Sequence, residues 1–222
     1  MPASNYLQNK LLDYLFRGQA MPANPVIYVA LLTCTKGSRQ NSFTYAVNDT
    51  ITLLANNGTQ RLYKCTAITT GISTSAQGVL FPGVANEVIV DTGATFTDQD
   101  SVLRAVGATF VEPSGNAYAR VKAAAGASQA LTDWKSTQND SLASTGTSGS
   151  TNNTNTVAFP QATPAGWAVA PAMVWGIALM DAITTGNCLD IGGLTTPQAV
   201  AALATPSFAA GQITIPMFGN GL

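Results

Sequence analysis

The sequence predicts a mainly β protein: a β-sandwich with a short N-terminal helix, interrupted by a small inserted β domain. Three observations carry that prediction. The apolar stretches are short, rich in β-branched and aromatic residues, and punctuated by Gly, Pro and Asn. One clear helical spacing stands out, over residues 4–17. Charged residues make up 9% of the chain, against about 25% in a typical domain. A surface with so few charges is built from Ser, Thr, Asn, Gln and Gly, or is covered by partners. Both suit a subunit of a large assembly.

The elements follow in chain order. In 4–17, Leu7, Leu11, Leu12 and Leu15 recur at helical spacing, Ser4 or Asn5 can cap the start, and Gly18 stops the helix after Arg17. Such a helix needs a seat. Tyr6, Leu7, Leu11 and Leu15 form its candidate docking face, either internal or against a neighbour. The internal seat is the expected one, because amphipathic helices usually pack on their own sheet. Val26–Leu32 then reads as a buried strand.

After Cys34 the chain turns polar, and short strands with turns between them begin. Thr50–Leu54 and Gln60–Cys65 flank Asn56-Asn57-Gly58, a hairpin signal. Val79–Pro82, Val88–Val90 and Ala108–Val111 read as further strands, and Thr97–Asp100 as the cap of a short helical turn running to Ala105. Beyond Pro113 a strand is expected around Tyr118–Lys122. Ser136–Thr156 is too polar for a core and reads as an exposed loop, or as a segment ordered by a partner. Met173–Asp181 and Cys188–Leu194 form a second hairpin across Thr184–Asn187. Thr196–Gln198 reads as a turn, 198–204 as a short helix, and Ile213–Met217 as an edge strand, since Pro216 cannot donate to a ladder. Residues 1–35 plus 114–222 thus form the sandwich, and 36–113 the inserted domain.

Composition narrows the function. A net charge of −1 and a pI near 5.2, with scattered basic residues, argue against nucleic-acid binding. The longest apolar runs are too short or too broken for membrane insertion. The N-terminus lacks the basic and apolar pattern of a signal peptide. Cys34, Cys65 and Cys188 are odd in number and far apart, which fits buried free thiols.

Chemistry finds little to work with. The chain has no histidine, which removes His-dependent triads and most zinc and iron sites. No phosphate-binding glycine motif occurs. Asp98-Gln99-Asp100 is the one local acidic cluster; a capped turn is its expected role and a calcium site the alternative. We therefore expect no enzyme activity, no catalytic residues, no cofactor and no bound metal. Tyr28, Tyr63, Trp134, Trp167 and Trp175 read first as packing residues that could also stack sugars, with Tyr63 as the candidate glycan contact.

Several segments carry a resemblance. SNYLQNKLLDYLFRGQ followed by PVIYVALLT, then Ala117–Val121, Val157–Ala162, Gly166-Trp167, Gly176–Ala182 with Thr185–Asn187, Gly193–Pro197 and Phe208–Gly211, resemble in order a family of small bacteriophage tail fibre proteins. Arg61–Thr66 with Thr69–Gly71 is similar to a small β repeat of phage virion proteins, with Phe81-Pro82 standing where that repeat has Trp-Pro. The resemblance implies a virion component, assembled in the host cytoplasm: a tail fibre subunit or a fibre-to-tail adaptor acting in assembly and host attachment. Its partners would be other virion proteins and further copies in a homo-oligomer. A capsid decoration (cement) protein is the alternative reading, and a carbohydrate-binding module for host surface glycans a further one.

Overall fold

A computed structural model describes residues 3–20, 25–54, 60–69, 74, 86–130, 133–136, 150–167 and 172–216. The elements in order are α1 (Asn5–Arg17), β1 (Tyr28–Cys34), β2 (Thr50–Leu54), β3 (Gln60–Ile68), β4 (Val88–Asp91), β5 (Ala94–Asp98) and α2 (Asp100–Arg104). The second half carries β6 (Val121–Lys122), β7 (Trp134–Ser136), β8 (Ser150–Asn153), β9 (Val157–Ala158), β10 (Met173–Met180), β11 (Cys188–Gln198), β12 (Ser207–Phe208) and β13 (Thr214–Pro216). The fold is mainly β, with its paired strands antiparallel, as the punctuated sequence predicts.

The apolar run after Pro25 becomes β1, an inner strand of a sheet ordered β11-β10-β1-β6. The run is continuous, not alternating, because both faces of this sheet are buried. Val29 and Leu31 of β1, with Val174, Ile177 and Leu179 of β10, face one core. Ala30, Leu32 and Cys34, with Ala178 and Met180, face a second. The first core is closed by Val157, Phe159 and Ile213, backed by the small sheets β12-β9 and β13-β8-β7, which gives the sandwich. Leu62 of β3 and Leu103 of α2 close the second.

Strands β2 to β5 form a separate sheet in the order β2-β3-β5-β4. Its inner face buries Ile51, Tyr63, Cys65, Ile89 and Phe96 around Tyr45. The Tyr45 ring lies edge-on to Phe96 at 5.3 Å. One end of this sheet touches the central one at Gly193: a Cβ there would sit 2.5 Å from the Gln60 Cβ and 2.7 Å from its carbonyl oxygen. Backbone cannot swing aside as a flexible side chain can, so the contact demands glycine. We expect Gly193→Ala to cost about 1–3 kcal/mol through overpacking. The urea midpoint reports it, and an unchanged midpoint would show that the two sheets do not meet there.

The hairpins at Thr50–Cys65 and Met173–Leu194 form as the sequence predicts, the second extending to Gln198. The first hairpin's turn, Asn56-Asn57-Gly58, lies outside the described residues, as do Val79–Pro82, Phe81-Pro82 and 137–149.

Five expectations need correction. Ala108–Val111 forms no strand; it lies beside β1, where the Val111 carbonyl accepts from Thr33 N at 2.8 Å. Around Tyr118–Lys122 only Val121 and Lys122 pair as strand. The alanine-rich 198–204 is not helical, since the Val200 carbonyl is taken by Trp167 N at 3.0 Å and Leu203 adopts φ 60°. Thr196–Gln198 is strand, not turn. Residues 150–156 are ordered within the chain itself: Asn153 is buried, donates to the carbonyls of Asn155 and Ala209, and accepts from Ile213 N.

Candidate functional site

Helix α1 forms where the sequence places it, and its first turn sits on the chain's own β11. Ser4 caps it, its hydroxyl accepting from Leu7 N at 3.3 Å while donating to the Cys188 carbonyl. Ser4 N also donates to the Leu189 carbonyl at 3.0 Å, and Ala3 bridges Asp190. The helix is therefore held to β11 by its first turn. At the other end Gly18, at φ 66°, returns its N–H to the Asp13 carbonyl.

No residue of α1 is buried. Of the sequence-predicted docking face, Tyr6, Leu7 and Leu11 are half-buried and Leu15 is exposed. Leu12 (53%), Leu15 (58%) and Phe16 (78%) make an outward stripe at i, i+3 and i+4 spacing. Leu12 and Phe16 are functional candidates that the sequence reading left out. Their signal was present as a second apolar stripe on the same helix. Sequence alone could not say which stripe the body would cover.

Tyr63, the candidate glycan contact, is wholly buried. The register Tyr63↔Ile51 turns its ring into the sheet's interior, and its hydroxyl donates to Glu87 Oε1. Burial, and then the Glu87 carboxylate, push the phenol pKa up. A ring in that setting presents no face for a sugar to stack on, which corrects the expectation.

The carboxylates have structural partners. Arg39 Nε donates to buried Asp91 at 2.6 Å. Arg61 forks onto Asp98 at 3.1 and 2.8 Å. Arg104 Nε bridges both oxygens of Asp100 at 3.0 Å. The Asp98–Asp100 cluster is thus occupied by guanidinium groups, and Asp98 also accepts from Asp100 N at 3.3 Å, supporting the start of α2. Arg120 grips Glu112 at 2.7 Å and the carbonyls of Ala182 and Thr185 at 3.0 and 2.6 Å. A shallow groove beside β6, lined by Tyr28, Arg120, Lys122, Phe159 and Ile183, has both its cations engaged in this way, since Lys122 donates to the Gly126 carbonyl.

The three cysteines are free and buried, as their spacing predicts. Burial raises the Cys34 and Cys65 thiols, and burial with the Asp190 charge pushes Cys188 up to about 12. Such thiols are poor nucleophiles.

The segments that carry the family resemblance meet in space. Tyr118 stands edge-on to Trp167 at 5.3 Å and stacks on Phe159 at 6.3 Å, and Phe159 meets Phe208 at 6.3 Å. The Tyr118 hydroxyl donates to Glu112 and accepts from Leu31 N, tying this cluster to β1. What these segments supply is architecture: an aromatic cluster and the arginine clamp beside it.

A layered β body whose arginines are paired with carboxylates and whose helix carries an exposed apolar stripe has the build of a particle part, and comparison shows the class to be the phage tail fibre proteins. The chain belongs to the family described as Podophage GP4 fiber I protein gp80, whose model matches residues 2–102 and 103–216. The matched spans together include all of residues 36–113, the segment that the sequence sets apart as inserted. No curated protein matches the chain. It is a structural protein of the virion, and its working partners are other virion proteins.

Proposed function

We propose that the protein is a fibre subunit or fibre-to-tail adaptor, and that α1 is the element by which it seats on a neighbouring virion subunit during assembly in the host cytoplasm. The observation that carries this is the outward stripe Leu12, Leu15 and Phe16 on a helix whose first turn is hydrogen-bonded to β11. An apolar face left in water costs free energy, and covering it against a partner recovers about 25 cal/mol per Å². The stripe is flanked by the exposed Asp13–Arg17 pair at 3.0 Å, so the charges near it are already balanced. Homo-oligomeric assembly and host attachment belong to the same reading.

The test is incorporation. Leu12→Ser with Phe16→Ser changes exposed side chains only, so the free protein keeps its stability, read from urea unfolding, to within about 0.5 kcal/mol. Particles assembled with this variant are expected to carry much less of the protein than wild-type particles. Incorporation at the wild-type level would overturn the role given to α1.

We further infer that the role is structural, without catalysis. This reading is supported by the arginine pairing of Asp91, Asp98, Asp100 and Glu112. Hydrolysis of a host polymer by the pure protein would overturn it. The division into a sandwich (1–35 plus 114–222) and an inserted β domain (36–113) belongs to the same proposal. It is supported by β1 and β6 being neighbours in one sheet while β2 to β5 make up another.

A further inference from the structure

Where α1, α2 and the central sheet meet, one carboxylate stands apart from the rest. Asp190 of β11 is 2% exposed. Its Oδ1 accepts from Ile191 N at 2.8 Å and lies 3.8 Å from Arg104 Nη1, beyond hydrogen-bond reach. Its Oδ2 is buried with no hydrogen-bond partner. The other carboxylates of this region, Asp98 and Asp100, take the close contacts of Arg61 and Arg104.

The surroundings of Asp190 can be named side by side. Helix α2 contributes Arg104, which carries Asp100 with it. Its own strand contributes Cys188, whose thiol is itself held neutral by burial. The register partners on its flanks, Leu179 of β10 and Ala3 before α1, are apolar, and the positive charge of the chain's amino terminus also acts on it. Ser4, one residue on, makes the bonds to β11 that seat α1. A change at Asp190 therefore acts on both helices.

We propose that Asp190 is a proton-operated latch at this joint: neutral, it keeps α1 and α2 closed on β11, and ionised, it favours the joint's local opening. An ionised carboxylate with a buried, unmatched oxygen is poorly solvated, and opening returns it to water. Burial raises its pKa to about 6, with the Ile191 N–H, the amino-terminal charge and Arg104 acting against the rise. In the opened joint it loses its proton near the ordinary value of about 3.9. Between those two values the closed form holds more protons than the open one. Rising pH therefore favours opening, and acid favours closure. The latch stands on the geometry of the joint and does not depend on what α1 docks against.

Hydrogen exchange of the full chain tests it, with rates corrected for intrinsic pH dependence. The opening constant for Ser4, Leu103 and Ile191 amides is expected to rise about tenfold from pH 5 to pH 7.5. In Asp190→Asn, neutral throughout, this rise disappears. A pH-independent opening constant in the wild type, or an undiminished rise in the variant, would sink the proposal. Should the variant fold poorly, the carboxyl carbon resonance of Asp190 in the wild type decides the matter. A midpoint near 6 supports the latch, and one near 4 removes it.

Discussion

Asp133→Ala is expected to lower stability by about 3–5 kcal/mol. The side chain is buried and gathers four donors: Ala125 N and Asn155 Nδ2 at 3.0 Å on one oxygen, Ala130 N at 2.6 Å and Gln129 Nε2 at 3.1 Å on the other. Alanine leaves the Ala125 and Ala130 N–H groups without this acceptor. Gln129 has a second task, accepting from Ile27 N at 3.0 Å at the entry to β1, so the loss spreads to the central sheet. Against a total stability of about 5–15 kcal/mol this is a large fraction. A fall in melting temperature on the order of 10 °C is the corresponding reading. Asp133→Asn keeps the shape and one acceptor, and is expected to fall between the two. A variant with the wild-type midpoint would mean that water, not Asp133, satisfies these donors.

The same residue shows where sequence reading reaches its limit. Asp133 lies at the border of a polar stretch that looks solvated, yet it and Asn153 are among the most buried polar groups described. A polar residue announces burial only through its partners, and those lie up to 60 positions away, as Ile213 does from Asn153. The strands β1 and β10 were legible for the opposite reason. Both of their faces are buried, so nearly every position is apolar, Thr33 being the polar one. Strand β5 went unread although Ala94, Phe96 and Asp98 alternate inward. A buried aspartate on the inner face, satisfied by Arg61 from the neighbouring strand, broke the apolar signature.

Helix α1 divides in the same way. Its residues, cap and stop were legible because they are local. Its seat was not, because that depends on the shape β11 offers and on Ser4 finding two carbonyls 184 and 185 positions away. The alanine-rich 198–204 illustrates tertiary override of propensity. Intrinsic preference favours a helix there by at most a few tenths of a kcal/mol per residue. The hydrogen bond from Trp167 to Val200 and the burial of the Val200 side chain outweigh it.

Tyr63→Ala carries the second large effect, about 3–5 kcal/mol, the usual cost of removing a buried aromatic ring. The ring lies against Ile51, Cys65 and Phe96 in the interior of the β2-β3-β5-β4 sheet, and its removal opens a cavity that the paired strands cannot collapse to fill. Tyr63→Phe keeps the ring and removes only the donor to Glu87, so about 1–2 kcal/mol is expected. The pair of variants also separates two roles that a single one would confuse. If Tyr63 contacted a glycan, its alanine variant would lose binding while keeping its fold, because a surface ring contributes little to stability. Buried as it is, the alanine variant loses the packing of its whole sheet, and any binding lost with it reports unfolding. Urea midpoints in the order wild type, Tyr63→Phe, Tyr63→Ala establish the packing role. An alanine variant as stable as the wild type would return Tyr63 to the surface and reopen its candidacy for a sugar.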